Sequence, residues 1–82
     1  MADLPRNLDE ALARGWVDFP SERKDELNRG GTRERALARG VDCNNPANEG
    51  AVCGQYTDAD GNPVVSVCTD GFCERRFLRA PG

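Results

Sequence analysis

Residues 51–78, Ala51 to Leu78, read AVCGQYTDADGNPVVSVCTDGFCERRFL, and this stretch decides the fold. Two turn signals divide it. Asp58-Ala59-Asp60-Gly61-Asn62-Pro63 supplies Asp and Asn side chains that bond nearby backbone, and a glycine free to take a positive φ. Asp70-Gly71 is a favoured pair for a two-residue hairpin turn. The runs between them, 52–57, 64–69 and 72–78, hold Val64, Val65, Val67, Phe72 and Phe77. Such β-branched and aromatic residues suit a half-buried pleated surface. Pro63 cannot donate to a ladder and belongs at the start of its strand. The expectation is a three-stranded antiparallel meander.

The turns also bear on the cysteines. With Asp70-Gly71 as the loop, Thr69 faces Phe72 and Cys68 faces Cys73, where side chains approach closely. The first hairpin has two registers. A loop at Asp60-Gly61 puts Cys53 opposite Cys68, whereas a loop of Ala59 to Gly61 does not, and one residue of slip reverses every side chain. Four cysteines allow three pairings. The preferred one joins Cys68 to Cys73 across the hairpin and Cys43 to Cys53 around the loop 42–50, DCNNPANEG. The alternative joins Cys53 to Cys68 and Cys43 to Cys73. The spacing C-x9-C-x14-C-x4-C lacks the close pairs at both ends that structural zinc normally uses. Disulfides are therefore read ahead of zinc or free thiols, and no cofactor or metal is expected.

Outward from this module, residues 1–42 read as a polar helical arm and 43–82 as the cysteine-containing sheet module. Asn7-Leu8-Asp9-Glu10 fits a capping box for a helix over 8–14, closed by Gly15. Ser21 and Thr32 stand as caps for further helices over 21–29 and 33–39, ended by Gly30-Gly31 and Gly40. The second helix has a single apolar residue, Leu27. Ala11-Leu12-Ala13-Arg14-Gly15 recurs as Ala36-Leu37-Ala38-Arg39-Gly40, too few copies for a solenoid. The overall expectation is a small α+β fold stapled by disulfides.

At 82 residues the chain is one small domain with a thin core. Leu, Val and Phe number 15 and Ile is absent, a low apolar share, yet the net charge is only −3. Such a chain needs staples or a partner surface. Arg75, Arg76 and Arg79 form the one basic cluster of the sheet module, too small a footprint for nucleic acid on an acidic chain. No stretch approaches the ~20 apolar residues of a membrane span. The beginning, MADLPRNLDEALARG, lacks the regions of a signal peptide. Four cysteines in a small chain nonetheless favour an oxidising setting. A virion, or another oxidising environment reached without a signal peptide, is expected, with the cytoplasm as the alternative.

The absence of His removes the usual general base and nucleophile partner, and no GxxxxGK loop is present. Asp58-Ala59-Asp60-Gly61 shares part of a calcium-loop pattern but lacks the distal Glu, so it is read as a turn. The sequence points away from an enzyme and toward a protein that works by contact: a structural or assembly component, such as a virion cement or decoration protein. A regulator or inhibitor of one protein, with or without a cysteine-bound zinc, and an accessory subunit of an enzyme complex are the alternatives. Trp16 and Phe19, in the densest apolar cluster of the arm, and Arg75 and Arg76 are the candidate contacts. The partner is expected to be protein or a second copy, with neither nucleic acid nor membrane involved.

Overall fold

Asp70 and Gly71 both take positive φ, 52° and 85°, as a tight two-residue hairpin turn requires. The computed structural model describes residues 4–29 and 41–81. In it the turn joins β4 (Pro63–Thr69) to β5 (Phe72–Arg79), and β3 (Val52–Thr57) precedes them. The meander thus stands within a residue of its expected bounds. The β3–β4 connection takes the longer of the two registers: Asp58 N–H donates to the Asn62 carbonyl at 2.9 Å, leaving Ala59–Gly61 at the tip.

The sheet is wider than the meander. Val17–Phe19 forms β1 and Asn28–Arg29 a two-residue β2, giving the order β1-β5-β4-β3-β2 with every pair antiparallel. Further along the outer edge of β3, Leu8 N–H donates to the Gly50 carbonyl at 2.7 Å and Val52 N–H to the Arg6 carbonyl at 2.9 Å. Segments from the first thirty residues therefore cover both edges of the meander, where unpaired backbone would otherwise face solvent.

The helices are shorter than the sequence suggests. α1 spans Leu8–Ala13, and its Asn7 cap accepts from Glu10 N–H at 2.8 Å. Glu10 reaches back to Arg6 N–H at 3.0 Å, one residue before the cap. The helix expected over 21–29 is instead a 3-10 helix, Ser21–Glu26, followed by β2. With Leu27 as its one apolar residue, a full helix there would have no face to bury, and edge pairing with β3 prevails. The expected helix 33–39 and the second copy of the Ala-Leu-Ala-Arg-Gly repeat lie outside the described residues.

Two apolar clusters occupy opposite sides of β4. Val65 and Val67 join Ala11, Trp16, Val52 and Leu78 beneath α1. Val64 joins Phe19, Tyr56 and Phe77, with Leu27 against them. Tyr56 and Phe77 meet edge to face at 5.6 Å. Within β3 the switch of side comes from a one-residue bulge at Cys53. Val52 pairs with Val67, but Gly54 pairs with Ser66, so Val52 and Tyr56 reach different clusters despite their even spacing.

Candidate functional site

The cysteines are the chemically distinctive part of the molecule, and two bulges assemble them. One is at Cys53. The other lies in β5, where Thr69 pairs with Phe72 but Val67 pairs with Arg76, so Cys73, Glu74 and Arg75 all stand against Cys68. This irregularity withdraws Cys73 from the position opposite Cys68. The disulfides are Cys43–Cys68 and Cys53–Cys73.

That pairing corrects both expectations, Cys68–Cys73 with Cys43–Cys53 and Cys53–Cys68 with Cys43–Cys73. It is the third possibility, and the reason is geometric. β3 and β5 flank β4, which in a flat sheet would separate them by roughly 9–10 Å. The bulges draw Cys53 and Cys73 together over β4, with Cα atoms 6.0 Å apart. The loop before β3 carries Cys43 across to the vacated Cys68, whose Cα lies 5.1 Å away. That loop is shaped by its own polar side chains: Asp42 accepts from Asn44 N–H, Asn45 from Ala47 N–H, and Asn48 donates to the Asp42 carbonyl.

The two bridges abut. The Sγ atoms of Cys43, Cys53 and Cys73 lie within 4.8 Å of one another, and Cys68 Sγ is bonded to the first. Ser66, on the same side of β4 as Cys68, is wholly buried beside them. Its Oγ lies 3.5 Å from Cys53 Sγ and 3.4 Å from Cys73 Sγ. A disulfide sulfur has no hydrogen to give, so the serine hydroxyl is the donor. Gly54 makes the room: a Cβ there would stand 2.6 Å from Ser66 Oγ and 2.7 Å from the Tyr56 hydroxyl oxygen. The sulfurs are sequestered, with Cys53 and Cys68 buried and Cys43 and Cys73 half-buried.

The other candidate residues are dispersed. Trp16 and Phe19 are only 7% and 5% exposed and serve opposite clusters, so they anchor the two sides of the sheet. Arg23 stacks over the Phe19 ring at 5.3 Å. The arginines do not form one patch of free charge. Arg76 donates to Asp18 at 3.1 Å, tying β5 to β1; Arg79 lies 3.8 Å from Asp58; and Arg75 lies 3.9 Å from Asp70 and over the Phe72 ring at 4.8 Å. Phe72 is 57% exposed, the most exposed large apolar residue among those described, and sequence reasoning assigned it only to the sheet. Its signal was its place immediately after the Asp70-Gly71 turn.

Asp58 closes the β3–β4 loop. Its carboxylate accepts from the backbone N–H groups of Asn62 at 2.8 Å and Asp60 at 2.9 Å, and from the Asn62 side chain at 3.3 Å. These bonds, those from Asn62 foremost, hold its carboxyl below the usual carboxylate range, with Arg79 adding to the effect. Folding therefore favours the ionised form. The resulting stability is complete above the unfolded value of about 4 and is lost as the pH falls through the lowered folded value. The melting temperature is expected to be insensitive to Asp58 between pH 7 and about 5 and to fall below about pH 4, and Asp58→Asn should lessen that fall. An identical acid profile for Asp58→Asn would place the effect on other carboxylates.

Among the described residues no helix is long and apolar enough to cross a membrane. The two disulfides are a sign of an oxidising environment. Compared with known families, with curated proteins and with solved structures, the chain gives no match.

Proposed function

We propose that the protein is a non-enzymatic structural or assembly component that works by contact, in the manner of a small cement or decoration protein on a larger particle such as a virion. The observation carrying this reading is Phe72. An aromatic ring stands in solvent at the end of a two-residue turn, next to a disulfide-bonded cysteine and under the guanidinium of Arg75. Aromatic and Arg side chains dominate binding hot spots, and a contact held rigid before binding loses less entropy on association. Leu12 and Val17, each 49% exposed, extend the apolar surface elsewhere on the molecule. The absence of His is consistent with binding as the task.

The test compares wild type with Phe72→Ala by sedimentation, both purified and in extracts of the source. Wild type is expected to travel with a larger particle or as an oligomer. Phe72→Ala should weaken that association by roughly tenfold or more, as for a hot-spot aromatic, with its melting curve little changed. Wild type sedimenting as a monomer in both settings would remove the proposal.

A further inference from the structure

We propose that the four cysteines, once reduced, form a site for one soft divalent cation of the zinc class. The sequence spacing argued against such a site, but the fold assembles what the spacing does not. Bulges in β3 and β5 bring Cys53 and Cys73 together, and the loop carrying Cys43 delivers it beside them. Three sulfurs lie within 4.8 Å of one another and the fourth, Cys68, is bonded to one of them. Four thiolates around zinc at about 2.3 Å stand about 3.8 Å apart. Ligation asks each disulfide to open to that separation and Cys68 Sγ, bonded to Cys43, to turn toward the three sulfurs already grouped. Thiolate ligands select zinc and its soft relatives over calcium or magnesium.

Ser66 is the independent observation. Its buried hydroxyl points at the sulfurs of Cys53 and Cys73, which are weak acceptors while joined in a disulfide. A thiolate is a far better acceptor, and an O–H donor beside a ligating sulfur is the kind of outer partner that orients metal ligands. Gly54 keeps the space around that hydroxyl open.

Two equivalents of a dithiol reductant deliver four electrons and four protons to the two disulfides, giving four thiols and two oxidised reductant molecules. The cation then replaces the four thiol protons, which pass to solvent. Disulfides and metal exclude each other, so the metal form belongs to a reducing compartment and the bridged form to an oxidising one. This holds whether or not the protein assembles with a partner.

The experiment reduces the full chain anaerobically with a phosphine and titrates it with cobalt(II) alone, then displaces cobalt with zinc(II). The expected result is an end point at one metal per chain, a tetrahedral thiolate–cobalt spectrum, and four thiols protected from alkylation. Cys43→Ala should lose the four-thiolate spectrum, and Ser66→Ala should bind about 10–100-fold more weakly. Because reduction alone can loosen the chain, the titration is repeated on reduced protein in guanidinium, where affinity is expected to fall at least tenfold. A spectrum of oxygen-ligated six-coordinate cobalt, protection of only two thiols per metal, or equal affinity with and without guanidinium would each overturn the site. Unchanged affinity in Ser66→Ala would overturn the part given to the hydroxyl.

Discussion

Replacing Cys53 and Cys73 together by alanine is expected to lower the unfolding free energy by about 3 kcal/mol, the chain-entropy value for a loop of this size. The bridges span 25 and 20 residues of sequence, so removing Cys43 and Cys68 should cost a similar amount. Stability of the whole domain is expected at about 4–12 kcal/mol on the usual per-residue scale. Either loss is thus a large share of the total, and reducing both bridges should leave a marginal fold unless a metal replaces them. The measurement is guanidinium denaturation of wild type and the two double variants under non-reducing conditions. It is paired with thiol counting in denaturant, expected to find almost no free thiol, and with non-reduced peptide mapping. Recovery of a Cys68–Cys73 peptide would show that β5 lacks the irregularity described, and the sulfur cluster would go with it.

Trp16→Ala should have an effect of the same order. The indole is buried between α1 and the sheet, against the cluster that holds Val52, Val65, Val67 and Leu78. Truncating a buried Trp or Phe commonly costs about 3–5 kcal/mol, part of it for the cavity left behind. The variant is expected to unfold at much lower denaturant, while whatever fraction remains folded associates as wild type does. Normal stability together with lost association would reverse the assignment and make Trp16 a contact rather than an anchor. The pairing matters because the neighbouring exposed side chains, Leu12 and Val17, stay in place in the variant and continue to report on any partner surface nearby.

The parts of this fold that could be read from the sequence are those whose causes are local. Asp70-Gly71 accepts the positive φ that a two-residue turn requires at both positions, and Pro63 marks a strand start by its missing N–H, so β3, β4 and β5 fall close to their expected bounds. The first-turn cap at Asn7 is likewise local. The rest depends on the partner strand. Trp16-Val17-Asp18-Phe19 has the aromatic and β-branched content of a strand between Gly15 and Pro20, yet three residues become β1 only because β5 is there to pair with them. Asn28 and Arg29 carry no strand signal at all. The disulfide pairing depends on two bulges, and no residue type at Cys53 or at Cys73–Arg75 announces one. Membership of the sulfur site was legible as a set of four cysteines; who faces whom, and the serine at its centre, was not.

The order of the bridged residues along the chain has a consequence of its own. Cys43 pairs past Cys53 to Cys68, and Cys53 pairs past Cys68 to Cys73, so the two loops interleave rather than sitting side by side or one inside the other. Every peptide bond between Cys53 and Cys68 is spanned by both crosslinks, and the Ala59–Gly61 tip, the exposed corner between β3 and β4, lies in that interval. A protease cutting there would yield two polypeptides that are still one molecule, joined at two points and laced through the same sheet. The tip can therefore be severed, lengthened or replaced by foreign sequence without releasing either half, and a new chain start placed between β3 and β4 would leave both crosslinks in position.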